Sequence, residues 1–130
     1  MSVATASAAP FATSDVLARL PQMSRSEVDS LGFGVVKVDD SGKIELYNRY
    51  EAELAGIEPS QAEGKNFFNQ IAPCTNNRIV FGQFKTGVAQ GVLDTCVNYT
   101  FTYKLRPTPV SIHLLRDSAS ATNWVLVKKA

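Results

Sequence analysis

An alternating run near the C-terminus, from Val97 to Leu105, constrains the fold more than any other part of the chain. Every second residue in it is apolar or aromatic, namely Val97, Tyr99, Phe101, Tyr103 and Leu105. The residues between them are polar, namely Asn98, Thr100, Thr102 and Lys104. Because successive side chains of a β-strand point to opposite faces, this pattern predicts a strand with one buried and one solvated face. Its aromatic face is suited to form the wall of an apolar pocket.

The remaining patterns predict helices, two strands, more helices and then the last three strands. Ser24 and Glu27 have the spacing of a capping box, and Val80, Phe84 and Val88 repeat at a helical spacing. Helices are expected at 13–20, 24–32, 49–56, from Pro59 onward and at 77–90, and strands at 33–39, 43–48, 97–105, 110–115 and 124–128. This order predicts an α+β protein with a five-stranded antiparallel sheet and helices packed on it. Residues 1–30 are expected to form an N-terminal helical cap, and residues 31–130 the main domain.

Composition excludes several classes of function. A chain of 130 residues, of which 45% are hydrophobic, is expected to form one domain with one core. Its net charge of +1 gives no electrostatic reason to expect nucleic acid or an anionic membrane as a partner. No apolar run approaches the roughly 20 residues that span a bilayer, and the N-terminus lacks the pattern of a signal peptide. The two cysteines do not make a disulfide framework, so we expect a reducing, cytoplasmic compartment.

Cys74 lies in a short stretch that combines two aromatic residues, a proline and a thiol, from Gly64 to Thr75. Pro73 fixes the backbone just before the thiol, and the two asparagines that follow favour a turn. A thiol held at the mouth of an apolar pocket can act as a nucleophile or as a covalent anchor. From the residues alone, a buried and inert cysteine is the favoured interpretation.

Tyr47 and Glu51 are four residues apart, at the predicted passage from a strand into a helix. If that turn is helical, this spacing brings both side chains to one side. From these residues alone, the favoured interpretation is a half-buried tyrosine beside a solvated glutamate, without a functional role.

Several segments together resemble the photoactive yellow proteins, a family of PAS-fold blue-light receptors. The resemblance runs from about Leu31 to the C-terminus, and its most specific parts are Lys65-Asn66-Phe67-Phe68 and Ala72-Pro73-Cys74. The other matching segments are Leu31–Gly34, Ile44–Asn48, Tyr99–Tyr103 and Trp124–Lys128. It implies a PAS fold and a p-coumaric acid (4-hydroxycinnamic acid) chromophore held as a thioester on Cys74. The chromophore-binding residues that it implies are Cys74, Tyr47, Glu51, Phe67, Ile71, Tyr103, Phe101, Val36, Ala55 and Ile57.

The resemblance also implies a mechanism. In this family, residues at the positions of Tyr47 and protonated Glu51 donate hydrogen bonds to a buried phenolate, and light isomerises the chromophore from trans to cis. Glu51 would then pass its proton to the phenolate, and the buried charge would loosen the cap, which an unknown downstream signalling protein reads. The implied protein is a sensory receptor, a monomer or weak dimer, and not an enzyme.

Two positions depart from the family pattern, which has a threonine where this chain has Ala55 and an arginine where it has Ile57. Loss of the hydroxyl removes one hydrogen-bond donor, and loss of the arginine leaves an apolar lid in place of a cation. Covalent attachment is expected to survive both changes, whereas the ground-state pKa, colour and cycle speed of the chromophore are expected to change.

Two alternatives remain open at this point. One is a PAS interaction module that keeps the fold but binds no chromophore. The other is a cysteine-dependent enzyme with Cys74 as nucleophile and His113 as base, which requires the two side chains within hydrogen-bond reach. The sequence pattern favours a solvated or edge position for His113, and it predicts a structural role for Cys96. One histidine and two separated cysteines give no metal cluster.

Overall fold

A single antiparallel sheet organises the fold in the computed structural model, which describes residues 10–102 and 107–129. Its strands are β1 (Gly34–Val38), β2 (Ile44–Tyr47), β3 (Asp94–Phe101), β4 (Thr108–Asp117) and β5 (Thr122–Lys129). They lie in the order β2-β1-β5-β4-β3, so β5 is central and β2 and β3 form the edges. This arrangement confirms the predicted five-stranded sheet.

Short helices and turns connect the strands. The α-helices are α1 (Ser14–Arg19), α2 (Arg25–Asp29), α3 (Arg49–Ala55), α4 (Pro59–Ala62) and α5 (Gln83–Gln90). The 3₁₀ turns are Leu20–Gln22 and Pro73–Thr75, and the π-helical turns are Phe67–Ile71 and Arg78–Gly82. The predicted capping box is present, because Ser24 accepts from the Glu27 N–H and Glu27 accepts from the Ser24 N–H. Within the described ranges, no helix has the length and apolar character needed to cross a bilayer.

The two faces of the sheet carry separate apolar clusters. The face that we call inner packs against α3, α4, α5 and the turns between them, and it contributes Val36, Val38, Ile44, Tyr47, Val97, Phe101, Val110, Ile112, Leu114, Val125 and Val127. The outer face contributes Val35, Trp124 and Leu126, and it packs against Leu20, Val28 and Phe33 of the N-terminal segment. The N-terminal helices therefore form a cap on the outer face, whereas the segment that carries Cys74 lies on the inner face.

The aromatic strand differs from its prediction at both ends. It begins at Asp94, before the predicted Val97, because its pairing with β4 continues toward the N-terminus of β3. Just beyond that end, the Arg116 N–H donates to the Leu93 carbonyl at 2.8 Å. It ends at Phe101, and the predicted members Tyr103 and Leu105 lie outside the described residues. The alternation is confirmed in part, since Val97 and Phe101 are buried and Asn98 is exposed, whereas Tyr99 and Thr100 are both half-buried.

The helix predicted from Asn77 to Gln90 has two parts. Its first part is the π-helical turn, where the Gly82 N–H donates to the Asn77 carbonyl at 2.8 Å, and α5 follows directly. The predicted apolar stripe is present, because Val80 and Phe84 are fully buried and Val88 packs against the inner cluster.

Candidate functional site

Tyr47 reaches the inner face because of an irregularity in the β1–β2 hairpin. Val36 pairs with Tyr47, but Val38 pairs with Ile44, so the register shifts between them. Residues three apart on a regular strand point to opposite faces, and the bulge is what places both Ile44 and Tyr47 on the inner face. The Tyr47 side chain is fully buried there.

Glu51 occupies the first turn of α3, which Asn48 caps. The Asn48 Oδ1 accepts hydrogen bonds from the Glu51 N–H at 3.1 Å and from the Val35 N–H at 2.9 Å. The Glu51 side chain is fully buried, so the interpretation as a solvated glutamate is wrong. Burial disfavours the charged form of a carboxyl group, and a buried carboxylic acid can serve as a proton donor.

Gly34 makes room for this carboxyl group. A Cβ at position 34 would lie only 2.2 Å from Glu51 Oε1 and 3.2 Å from Glu51 Cβ. Any side chain at this first position of β1 would therefore displace the carboxyl or the strand. Sequence reasoning did not identify Gly34 as a site residue, although a glycine in a strand is a known signal of close approach.

Cys74 lies in the 3₁₀ turn, where it is half-buried and packs against the inner cluster. Its carbonyl accepts hydrogen bonds from Asn77 Nδ2 at 3.0 Å and from the Tyr99 hydroxyl. The next two N–H groups of the turn, on Thr75 and Asn76, donate to the carbonyls of Ala72 and Pro73. Among the described residues the Cys74 N–H donates to no acceptor, which leaves it available to a ligand at the thiol.

The other candidate residues belong to the same inner cluster. Val36, Ala55, Phe67, Ile71 and Phe101 are buried, and Ile57 is half-buried against them. The fold thus places every candidate residue from the sequence on the inner side of the sheet except Tyr103, which lies outside the described residues. The inner cluster thus brings a thiol, a phenol and a carboxyl group to the same side of the sheet.

His113 does not take part in this site. It is fully buried on the outer face, its Nε2 lies 2.6 Å from Asp94 Oδ1, and its ring makes an edge contact with Phe11 at 6.5 Å between centroids. The prediction of a solvated or edge histidine was therefore wrong, because the cap covers this part of the sheet. The sheet separates His113 from Cys74, so the geometry that a cysteine–histidine enzyme needs is absent for this pair.

Cys96 lies directly opposite His113 in the β3–β4 ladder. It is half-buried, and burial together with the nearby Asp94 carboxylate raises the pKa of its thiol. A raised pKa lowers the thiolate fraction, so Cys96 is the less reactive kind of cysteine.

Comparison with known proteins identifies the family. The model of the PAS fold matches residues 22–123. The chain is 38% identical over 119 residues to the photoactive yellow protein of Rhodothalassium salexigens, covering 92% of this chain and 95% of the relative. It is 37% identical over 124 residues to that of Rhodobacter capsulatus, covering 93% and 97%. This chain belongs to the photoactive yellow protein family.

A solved structure agrees with this assignment. The photoactive yellow protein domain of the sensor histidine kinase Ppr from Rhodospirillum centenum superposes with a TM-score of 0.82. Its sequence is 36% identical, and the match covers 86% of this chain and 98% of that domain. Membership in the photoactive yellow protein family supports a photoreceptor function in sensory transduction, built on a PAS domain.

Proposed function

We propose that this protein is a blue-light photoreceptor that carries p-coumaric acid as a thioester on Cys74. The observation that carries the proposal is the fully buried Glu51 carboxyl, seated against Gly34 in the layer that also holds Tyr47 and the Cys74 turn. When bound, p-coumaric acid supplies blue-light absorption and a double bond that light converts from trans to cis.

Cys74 is the attachment point in this proposal. Its thiolate attacks the acyl carbon of an activated p-coumarate, the new S–C bond forms, and the activating group leaves with the electron pair of the broken bond. The Cys74 N–H, which has no acceptor among the described residues, would donate to the thioester carbonyl. The half-buried position of the thiol gives the acyl donor access.

Tyr47 and Glu51 hold the other end of the ligand. A phenolate is stable in an apolar layer only when donors surround it, and a phenol and a neutral carboxylic acid are both donors. After illumination Glu51 transfers its proton to the phenolate oxygen and becomes a carboxylate. A new carboxylate in this layer costs several kcal/mol, which is a large share of the stability of a small domain.

The substitutions at positions 55 and 57 alter this end of the site. Ala55 is buried and has no hydroxyl, and Ile57 packs its apolar side chain against the inner cluster. We infer that the phenolate receives less hydrogen-bond support than where a threonine occupies the first position. Attachment at Cys74 is independent of both residues.

Reconstitution with an activated p-coumarate tests the proposed function. We expect the purified chain to turn yellow, to gain the mass of one coumaroyl group, and to bleach reversibly under blue light. Absorption spectroscopy and intact-mass measurement provide the readouts. A colourless protein that keeps its fold by circular dichroism would favour the chromophore-free interaction module instead.

The cap is the part of the molecule that we expect to carry the signal. Asn48 connects it to Glu51, because the Asn48 Nδ2 donates to the carbonyls of Val28 at 2.9 Å and Phe33 at 3.0 Å while its Oδ1 caps the Glu51 helix. The fully buried contacts of the cap helices and turn come from Leu20 and Val28, and half-buried side chains, among them Val16 and Leu17 of α1, pack around them. Loss of these contacts would expose a surface for a downstream signalling protein in the cytoplasm.

Hydrogen exchange under illumination measures this loosening. We expect amides of α1 and α2 to exchange faster in light than in the dark, because short helices depend on their tertiary contacts. Amides of the central strand β5 serve as the internal control and keep their protection. Equal protection of the cap in light and dark would mean that the signal leaves by another surface.

A further inference from the structure

We propose that Asn77, together with Tyr99, is a positioning residue for Cys74. The proposal rests on the proposed function only in making Cys74 the chromophore anchor. The two side chains fix the main-chain carbonyl of Cys74 from outside its own turn, one from the start of the following helix and one from β3. They thereby hold the thiol-bearing residue still against the inner cluster.

Three hydrogen bonds form a closed set around the Cys74 carbonyl. Asn77 Nδ2 donates to it at 3.0 Å, and the Tyr99 hydroxyl donates to it as well. Asn77 Nδ2 also donates to Tyr99 Oη at 2.7 Å, so the two donors fix each other. Burial raises the pKa of Tyr99, and its hydroxyl therefore stays protonated and able to donate at neutral pH.

The other atoms of Asn77 leave its amide only one orientation. Its Oδ1 accepts from the N–H groups of Ile79 at 3.0 Å and Val80 at 3.1 Å, as the cap of the π-helical turn. Because those two donors require the oxygen, the nitrogen must face Cys74 and Tyr99. Asn77 thus couples the anchor turn to the helix that ends at Gln90.

Asn66 provides a matched control within the same chain. It caps the other π-helical turn in the same way, accepting from the N–H groups of Phe68 at 2.9 Å and Asn69 at 3.2 Å. Its Nδ2 donates to the Ser41 carbonyl at 2.9 Å, in the hairpin, and not to the anchor. An aspartate at either position keeps the cap, removes the donor and adds one negative charge, so the two variants differ in where the hydrogen bond is lost and the charge is added. The neutral variant Asn77→Ser separates the loss of the hydrogen bond from the added charge.

The experiment uses the chromophore-free protein with Cys96→Ser, so that Cys74 is the single cysteine. Labelling with carbonyl-¹³C cysteine then gives one carbonyl signal, and a small disulfide reagent measures the reactivity of one thiol. We expect Asn77→Asp to move the carbonyl signal upfield and to raise the thiol reaction rate about fivefold, the factor produced by the loss of one hydrogen bond. Asn66→Asp is expected to leave both values unchanged.

Two further variants keep the test decisive. Asn77→Ser retains a capping residue but is too short to reach the Cys74 carbonyl, so it is expected to repeat the Asn77→Asp result if that variant folds poorly. Tyr99→Phe removes the second donor and is expected to move the carbonyl signal in the same direction. An unchanged carbonyl signal and thiol rate in folded Asn77→Asp and Asn77→Ser would overturn the proposal.

Failure of this inference can be told apart from failure of the proposed function. Both readouts come from protein without p-coumarate, so they report on the Cys74 turn whether or not reconstitution succeeds. In the protein with bound p-coumarate, the Asn77 variants are expected to broaden the visible absorption band, because the Cys74 side chain that carries the chromophore would adopt more conformations. Asn66→Asp is expected to keep the parent band width.

Discussion

Serine in place of Cys74 is expected to abolish covalent attachment of p-coumarate completely, whereas Cys96→Ser is expected to leave it unchanged. A serine hydroxyl is a poor nucleophile at neutral pH unless a base activates it, and the only histidine lies across the sheet from this turn. Cys96 is expected to be the poorer nucleophile, because burial and the Asp94 carboxylate raise the pKa of its thiol and lower its thiolate fraction. It also projects from the outer face of the sheet.

Intact-mass measurement after reconstitution decides this prediction. The parent and Cys96→Ser proteins should each gain one coumaroyl group, and Cys74→Ser should gain none. A persistent coumaroyl mass on folded Cys74→Ser protein would rule out Cys74 as the anchor.

Alanine in place of Gly34 is expected to displace the proposed proton donor, Glu51, without changing its identity. The added Cβ would lie 2.2 Å from Glu51 Oε1, so either the Glu51 carboxyl or strand β1 must shift away. We expect the free energy of unfolding to fall by about 1–3 kcal/mol, the usual cost of overpacking a core. In the loaded protein the absorption should move to the red, because the phenolate loses the donor that stabilises its charge.

Gly32→Ala is the control, since a Cβ at position 32 meets no atom within 4 Å. Glu51→Gln supplies the reference for a weakened donor, and it should also remove the carboxylic-acid C=O infrared band that changes on illumination. If Gly34→Ala keeps both the absorption of the parent protein and this band, the position of the Glu51 carboxyl does not depend on the space that Gly34 leaves. If the band survives in Glu51→Gln, another group supplies the proton.

The parts of the fold that follow from periodicity or from a local hydrogen bond could be predicted from sequence. The alternation around Val97 and Phe101 located the inner face of β3, and Ser24 with Glu27 located the start of α2. The resemblance supplied the candidate residues, and the fold places those within the described ranges on one side of the sheet.

The features that were not predicted depend on tertiary contacts. Nothing in the sequence around His113 indicates that Phe11, a hundred residues earlier, covers it. The strand length of β3 depends on its pairing with β4, and the roles of Gly34 and Asn77 depend on which atoms approach them. The local sequence limits the structural roles that a residue can have. Contacts with segments distant in the sequence determine which of these roles it has in the fold.

The bulge in the β1–β2 hairpin limits how this protein can change its length during evolution. Ile44 and Tyr47 face the same side only because the ladder skips a residue between them. An insertion or deletion at the hairpin tip, residues 39–42, leaves this offset intact but disturbs the hydrogen bonds that the carbonyls of Ser41 and Gly42 accept from Asn66 Nδ2 and the Phe67 N–H. A single-residue deletion between Ile44 and Tyr47 would replace the bulge by a regular two-residue spacing, which also keeps both side chains on the inner face. We therefore expect functional descendants of this chain to carry either the bulge or the regular hairpin that is one residue shorter.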